Sequence, residues 1–392
     1  MKDLFHIARR EPLDWWKKIL VRIGAVLVAL LICSVFLYAV TKMNPIEIYK
    51  AMFKGNFGSN RKVWILIRDT MTLLLFALAL APAFKMKFWN IGAEGQALIG
   101  GVITAGLMIA LGNKLPTSVM LLIMFAASAL GGALWGLIPA IFKAVWKTNE
   151  TLFTLMMNYI ALQITSYCVA LWENPFGSNS VGVINQKTGG GWFPTVFGQS
   201  FGLNVIIVLA LTVVMFFYLK KSKQGYEISV VGESENTARY SGISVKKVLI
   251  RTMLISGAIC GIAGCIIVGG IDHTISTTTA GGRGFTAIIV AWMAGFNPFI
   301  MIPISVLLVF LNRGAAQVAS TCGLNEYASD IVTAVILLCI LASEFFLNYR
   351  ILFGSGKKVE AAAVTAGPKA ENLEAEKSEE SNEAATDSRE EV

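Results

Sequence analysis

The stretch Thr117–Phe142 reads TSVMLLIMFAASALGGALWGLIPAIF and decides the fold class. It contains no charged residue, and it exceeds the roughly 20 residues that a helix needs to cross the hydrocarbon core of a bilayer. Because a backbone in lipid must satisfy its own hydrogen bonds, a run of this kind predicts a transmembrane α-helix. We therefore expect an integral membrane protein.

Further apolar runs follow one another along most of the chain. They are Ile23–Val40, Val63–Phe84, Ile91–Leu111, Thr151–Trp172, Phe201–Leu219, Thr252–Ile271, the compound stretch Phe285–Leu311, and Asp330–Leu347. None shows the short alternating pattern of a membrane β-barrel strand. Together they predict an all-α polytopic bundle with about nine or ten spans, given the length that one crossing requires.

The composition agrees with this class and divides the chain by charge. Of 392 residues only 15% are charged, whereas a soluble domain carries about a quarter. Residues 359–392 hold ten acidic and three basic side chains, a net of −7, so the remainder carries +15. With no aromatic residue, the tail at 354–392 is predicted to be disordered and cytoplasmic. The basic remainder indicates cytoplasmic loops, not nucleic-acid binding.

Signatures of enzymes, metal sites and ATP-hydrolysing motors are missing from the sequence. His6 and His273 are the only histidines, which leaves no H-E-x-x-H zinc site and no Ser-His-Asp set. Residues 354–358 fail the phosphate-loop pattern, which needs glycine at position 351 and Ser or Thr at position 358. The six cysteines form no C-x-x-C pair. We expect no catalytic residue, cofactor or metal.

Basic residues in the connecting loops predict the orientation. The connection 220–251 carries seven Lys or Arg residues, whereas 173–200 has only Lys187 and 272–284 only Arg283. The first is therefore predicted to be cytoplasmic and the other two external, with a cytoplasmic N-terminal segment at 1–22 and a permease domain at 23–353. The loop 41–62 conflicts with this scheme, because it should be external yet carries five basic residues. It could contain a short interfacial helix.

The compound stretch Phe285–Leu311 is predicted to be broken. Asn297 and Pro298 lie near its middle, and a proline there removes a backbone donor. Nine straight crossings would also leave the tail outside, against Arg350 and Lys357, which follow the last span. Two half-length helices meeting near Pro298 would place both termini in the cytoplasm. Broken helices of this kind line cavities in transporters.

Two pairs of glycines have the spacing of close-packed membrane helices. Gly132 and Gly136 stand four residues apart in one run, and Gly257 and Gly261 in another. Small residues at this spacing let two helix backbones approach closely. The ordinary frequency of glycine in membrane helices is the alternative explanation.

The segment Phe88–Gln96, FWNIGAEGQ, places a carboxylate near the start of a predicted span. An ionisable group at such depth normally faces a water-filled path or a partner. One interpretation is therefore that Glu94 shapes a translocation path. The other is structural: Asn90 caps the helix, and Glu94 suits its positive N-terminal end.

Four ordered segments together resemble a known family. They are Asn90–Gln96 (NIGAEGQ), Glu150–Tyr159 (ETLFTLMMNY), Val231–Ile243 (VGESENTARYSGI), and Gly282–Ile288 (GRGFTAI) followed by Asn297-Pro298. They are similar to the permease subunits of bacterial ABC importers of the simple-sugar and branched-chain type that work with basic-membrane-protein-type lipoproteins in nucleoside uptake. The resemblance extends from about residue 44 to residue 347.

The resemblance implies a permease subunit in the bacterial plasma membrane that catalyses no bond change. It implies three partners: an ATP-binding cassette ATPase, a second related permease subunit, and a substrate-binding lipoprotein. Nucleosides are the implied solutes, with riboflavin, another small heterocycle or a sugar as alternatives. The residues implied to couple to the ATPase are Gly232, Glu233, Asn236, Ala238, Arg239, Gly242 and Ile243.

Polar residues within or beside the spans are the candidates for lining a path, because amides suit a neutral, hydrogen-bonding solute. They are Asn90, Glu94, Gln96, Asn158, Gln163, Asn297, Asn312 and Gln317. Each could instead form a helix–helix hydrogen bond. An ion-coupled secondary transporter is a rival of another class, but it needs a midplane ionisable site, for which Glu94 is the plausible carboxylate. The missing catalytic sets argue against an intramembrane enzyme.

Overall fold

The computed structural model describes residues 44–196 and 198–321 continuously, residues 5–9 and 349–353, and single positions at 323, between 16 and 38, and between 331 and 342. The predicted spans Ile23–Val40 and Asp330–Leu347 therefore fall mostly outside the described residues, and the tail at 354–392 falls wholly outside. Strand β1 (Phe5–Arg9) pairs antiparallel with β2 (Tyr349–Phe353). Residues 44–321 belong to a separate compact unit.

That unit is built from helices. They are α1 (Pro45–Phe57), α2 (Asn60–Lys85), α3 (Ala93–Leu111), α4 (Thr117–Trp146), α5 (Glu150–Leu171), α6 (Gly202–Lys221), α7 (Lys223–Glu233), α8 (Glu235–Tyr240), α9 (Val245–Ile267), α10 (Arg283–Met293) and α11 (Pro298–Thr321). A π-helical turn, Val268–Asp272, extends α9. Within the described residues, seven of these helices are long and apolar enough to cross a membrane: α2, α3, α4, α5, α6, α9 with its turn, and α11. The predicted polytopic bundle is confirmed.

The break in the compound stretch is also confirmed. Helix α10 ends at Met293 and α11 begins at Pro298. Gly295 and Phe296, between them, have positive φ angles of 56° and 59°, which no helix tolerates. The two parts are unequal, however, because α10 has 11 residues and α11 has 24. Only α10 is a half-length helix.

Helix α9 lies at the centre and packs against α2, α3 and α4. The backbone of Gly132 on α4 lies against that of Gly257 on α9, and Gly261 lies against the carbonyl of Ser128. A Cβ added at Gly132 would lie only 2.7 Å from the Cα of Gly261. The predicted close packing through these glycines is confirmed. This close packing explains how α9 contacts three other helices over most of its length.

The two ends of the bundle differ. At one end, called here the α8 end, a buried apolar cluster joins α2, α4, α7, α8 and α9, with Phe88, Ile228 and Ala238 among its members. At the other end, called the loop end, residues 173–196 and 198–201 connect α5 to α6 and contact the ends of other helices. There the Ile184 N–H donates to the carbonyl of His273 over 2.8 Å. Both ends are therefore fixed by contacts between distant segments.

Candidate functional site

The first polar cluster surrounds the non-helical connection between α2 and α3. Thr154 on α5 accepts a hydrogen bond from the Ile91 N–H over 3.2 Å. Asn158, one turn further, donates to the Ile91 carbonyl and accepts from the Gly95 N–H, both over 2.8 Å. The side chains of α5 thus satisfy backbone groups that α3 leaves free at its first turn.

Asn90 completes this cluster and is fully buried. Its amide nitrogen donates to Gln96 over 3.3 Å and to Ser256 on α9 over 3.2 Å, while its oxygen accepts from the Gly92 N–H over 3.0 Å. Buried amides whose donors and acceptors are used in this way stabilise the fold. The structural interpretation therefore accounts for the contacts of Asn90, Gln96 and Asn158. The prediction that Asn90 caps α3 is wrong, because the N-cap residue is Gly92 and no side chain caps this helix; Asn90 instead holds the turn before α3 by accepting from the Gly92 N–H.

Glu94 lies beside the start of the half-length helix α10. Its carboxylate accepts from the Gly284 N–H over 3.2 Å, and Arg283 is within electrostatic range. Gly284 can occupy this place only as glycine, because an added Cβ would lie 2.6 Å from the Glu94 side chain. A carboxylate at a helix N-terminus is stabilised by the free N–H groups and the helix dipole. The half-buried Glu94 thus joins α3 to α10 by charge.

The segment between α9 and α10 leads from the loop end into the bundle. The methyl end of Ile275 lies next to Gly101, two turns along α3 from its start. Polar contacts hold the following residues: the Ser276 N–H donates to Thr279 over 2.9 Å, and Arg283 donates to the Thr279 carbonyl over 3.2 Å. Helix α10 therefore starts inside the bundle, at the level of Glu94.

A charged group between α2 and α11 is the main feature that sequence reasoning missed. Asp69 forms ion pairs with its neighbour Arg68 over 2.8 Å and with Arg313 on α11 over 2.6 Å. Their side chains are only 17–25% exposed. Asp272 lies within electrostatic range of Arg68, Asp69 and Arg283. Charges at this depth are costly and mark functional sites in membrane proteins. The sequence did contain a signal for this site, because Arg68 and Asp69 place a guanidinium and a carboxylate within an otherwise apolar run.

The remaining predicted path residues do not join these clusters. Gln163 and Asn312 are exposed on their helices. Asn297 caps α11 by accepting from the Phe299 N–H over 3.3 Å. Gln317 accepts from Lys62 over 3.1 Å and donates to Thr321 over 3.2 Å. The eight candidates therefore occupy at least four separate places. Asn90 and Gln96 bond to each other, and Asn158 binds the backbone of the same connection.

The predicted coupling segment forms the short helix α8 and the turns that flank it. Ser234 caps α8 by accepting from the Thr237 N–H over 3.3 Å. Glu233 is the last residue of the preceding helix α7, while Glu235 and Asn236 begin α8. The turn after α8 contains Gly242, whose φ of 75° favours glycine.

Helix α8 has one buried face and one exposed face. Ala238 is fully buried in the apolar cluster of the α8 end, and Gly232 packs against the Lys85 carbonyl at the end of α2. Asn236, Arg239 and Tyr240 are exposed, Tyr240 to 93%. Beside them a groove of about 510 Å³ separates α8 from the end of α4; its lining includes Lys143, Lys147, Arg239, Ile243 and Lys246. The segment offers an exposed surface on which Glu235 is the one acidic residue among four basic ones.

A family model places this architecture among known proteins. Residues 63–341 match the model described as branched-chain amino acid transport system / permease component. The match includes every membrane-crossing helix named above apart from the first residues of α2. No solved structure matches the chain.

Similar proteins include three ABC transporter permeases. The guanosine ABC transporter permease protein NupP of Bacillus subtilis is 33% identical, across 79% of this chain and 88% of its own length. The glucose ABC transporter permease protein TsgB13 of Haloferax volcanii is 28% identical, across 83% and 88%. The nucleoside ABC transporter permease protein NupB of Lactococcus lactis is 27% identical, across 89% and 97%. These matches span nearly the whole of each relative.

Proposed function

This chain belongs to the permease-component family of branched-chain amino acid transport systems and is a multi-pass transport subunit; we propose that it carries nucleosides as part of an ATP-driven importer in the bacterial plasma membrane. One observation carries the choice of solute. The 33% identical relative is named for guanosine, and a second long match is named for nucleosides. The glucose permease among the relatives makes a sugar the competing solute.

Uptake competition tests the choice of solute. The chain, co-expressed with its ATPase and receptor, should support uptake of radiolabelled guanosine in cells that lack other nucleoside transporters. Unlabelled adenosine, cytidine and uridine should compete, whereas glucose and riboflavin should not. Uptake of glucose or riboflavin without uptake of any nucleoside would show that the substrate class is wrong.

The solute path is proposed to pass the region where Glu94 meets α10. Two features support this position. Helix α10 begins inside the bundle beside a half-buried carboxylate, and half-helix ends inside the membrane bind solutes or ions in transporters. The Ser276–Thr279 segment adds hydroxyl groups next to it. A nucleoside presents ribose hydroxyls and base edges, which carboxylate and hydroxyl groups can bind. In this arrangement Asn90, Gln96 and Asn158 hold the start of α3 in place and do not line the path themselves.

The ATPase is proposed to dock on the exposed face of α8. Ala238 on α8 and Gly232 on the adjoining α7 hold this segment against the ends of α2, α4 and α9, so a push on α8 would reach three membrane-crossing helices. The exposed residues Asn236, Arg239 and Tyr240 and the basic groove beside them are available to a partner. A second related permease and a substrate-binding lipoprotein complete the proposed importer, with the α8 end in the cytoplasm.

A further inference from the structure

Helix α1 has an outer face that the rest of the described chain leaves uncovered. Its inner face packs against α11: Met52 is buried against Gly314, and the amide of Asn56 donates to the Phe310 carbonyl over 3.1 Å. On the other side, Ile46 and Phe53 are 62% and 60% exposed, and Phe57 at the border, whose ring also meets that of Phe310 on α11, is 45% exposed. These residues are spaced seven and four apart, so they share one face of the helix.

Two lysines border this apolar face. Lys50 and Lys54 are exposed and lie on the same side of α1 as Phe53 and Phe57. Arg61 and Lys62 follow within two turns, and Lys62 donates to the Lys54 carbonyl over 3.4 Å. Glu47 is the only acidic residue between positions 44 and 62. The aromatic side chains and lysines line one open, shallow surface along α1.

The position of α1 fixes the surroundings of this face. Only Gly58 and Ser59 separate its last residue from α2, which begins at Asn60 and is long and apolar enough to cross a membrane. Helix α1 must therefore lie where that span meets the water. A helix at this level with aromatic residues on one side and lysines beside them has the composition of an interfacial helix. Anionic headgroups attract such lysines.

We propose that the face formed by Ile46, Lys50, Phe53, Lys54 and Phe57 binds an anionic phospholipid. The acyl chains lie on the phenylalanine rings, and the phosphate lies between Lys50 and Lys54. Charge complementarity selects this occupant, because Lys50 and Lys54 border the apolar face and Arg61 and Lys62 follow it in the sequence, while Glu47 is the one acidic residue in the segment. The lipid also explains why a predicted external loop carries so much positive charge, which the positive-inside rule does not.

Depth and lipid selectivity test the proposal together. A nitroxide label is attached to Phe53→Cys in full-length protein whose native cysteines are replaced, in nanodiscs of phosphatidylcholine with and without phosphatidylglycerol. Collisions with oxygen should exceed collisions with a water-soluble nickel complex, which places the label below the phosphates. In parallel, native mass spectrometry counts the lipids that the purified protein retains. Lys50→Gln with Lys54→Gln should reduce retained phosphatidylglycerol by up to about fivefold per lysine, as expected for about 1 kcal/mol each.

Lys114→Gln is the matched control, because Lys114 is an exposed lysine in the turn between α3 and α4, away from α1. It should leave phosphatidylglycerol retention unchanged. Three results would overturn the proposal: a label at position 53 that contacts the nickel complex in membranes, a label that becomes protected only when a partner protein is added, or equal losses in the control and the double variant. None of these results bears on which solute the permease carries.

Discussion

Asp69 shows how single residues set the electrostatics of the bundle. It holds two guanidinium groups, from Arg68 and Arg313, and so ties α2 to α11 across 244 positions of sequence. Removing one partner of a desolvated ion pair leaves the other charges uncompensated, and this costs more than the pair itself contributes. The position therefore constrains both stability and any movement between these two helices.

Asp69→Asn should lower the free energy of unfolding by about 2 kcal/mol, less than the 3–5 kcal/mol of a fully buried pair because these side chains keep some contact with solvent. The apparent melting temperature of the purified protein measures the effect. Asp69→Glu, which keeps the charge, should lose less, and adding Arg313→Gln to Asp69→Asn should recover part of the loss. A wild-type melting temperature for Asp69→Asn would contradict a stabilising role.

Glu94→Gln should leave the protein folded but reduce uptake. The amide oxygen can still accept from the Gly284 N–H, so the contact with α10 survives while the charge is lost. Because a hydrogen bond to a charged acceptor contributes roughly 1–1.5 kcal/mol more than a neutral one, we expect about a tenfold loss of uptake. Radiolabelled uptake normalised to expression measures it. Normal uptake by normally expressed Glu94→Gln would show that the charge has no role.

At the scale of elements, the crossing of α4 and α9 depends on backbone contact. Gly132 meets the Gly257 carbonyl and the Gly261 backbone, whereas its neighbour Gly131 faces only the flexible end of the Ile103 side chain. Backbone cannot move aside as a side chain can, so these adjacent glycines differ in what they tolerate. Helix packing without side chains is one way in which membrane bundles become tight.

Gly132→Ala should therefore destabilise the bundle by about 1–3 kcal/mol, the usual cost of overpacking. Gly131→Ala is the matched control, since it adds the same methyl group one position away. Thermal unfolding of the two purified variants should differ by several degrees, with the control close to wild type. Equal melting temperatures would mean that α4 and α9 do not cross as closely as described.

At Gly242, in the turn after α8, two substitutions can separate the effect of backbone strain from the effect of side-chain size. Gly242 has a φ of 75°, and nothing lies within 4 Å of the Cβ that a substitution would add. Both Gly242→Ala and Gly242→Trp carry the cost of a left-handed residue, about 1–2 kcal/mol, but only the indole fills the space in which we expect the ATPase.

Gly242→Trp should insert normally yet lose co-purification with the ATPase and uptake, whereas Gly242→Ala should retain most of both. Quantified ATPase in affinity-purified complexes gives the measurement. A stoichiometric complex with full uptake by Gly242→Trp would move the contact elsewhere, and the connection Lys143–Asn149 would be the next candidate. Glu235→Ala should have a smaller effect, because exposed ion pairs contribute about 0–1 kcal/mol.

The apolar runs predicted most helices because hydropathy reports what lipid requires. The span predicted at Phe201–Leu219 corresponds to the helix Gly202–Lys221, and the span predicted at Ile91–Leu111 corresponds to the helix Ala93–Leu111. Hydropathy did not predict the parts of helices that carry polar residues at their ends. Helix α9 begins at Val245, seven residues before the predicted start. The prediction began too late because Lys246, Lys247 and Arg251 interrupt the apolar run. Helix α11 likewise continues past Leu311 to Thr321.

The candidate site was less predictable than the fold. Sequence singled out Glu94 correctly as a carboxylate near a helix start, but its contact, Gly284, is 190 positions away. Asp69 was not predicted as a site residue. It stands next to Arg68, so the two charges look like a local pair, and its second partner, Arg313, follows the predicted end of another span. Pairings of this kind depend on which helices adjoin, and periodicity within one helix carries no such information.

For the whole molecule, the loop charges predict that the α8 end faces the cytoplasm. Ser178→Cys in the loop 173–201 should react with a membrane-impermeant maleimide added to intact cells, whereas Tyr226→Cys on α7 and Ser388→Cys in the tail should react only after lysis. Both native positions 178 and 226 are exposed, so failure to react reports the side of the membrane. Labelling of position 388 in intact cells would show that the predicted topology is wrong.

Carboxylates and guanidinium groups occur in equal numbers among the charged side chains described above. Glu94, Asp69 and Asp272 stand against Arg68, Arg283 and Arg313, and a group in which all six are ionised carries no net charge. Moving one elementary charge through a membrane potential of 100 mV involves about 2.3 kcal/mol. A group whose charges cancel experiences almost none of that work when it shifts as a unit. We therefore expect the membrane potential to have little influence on the position of this group.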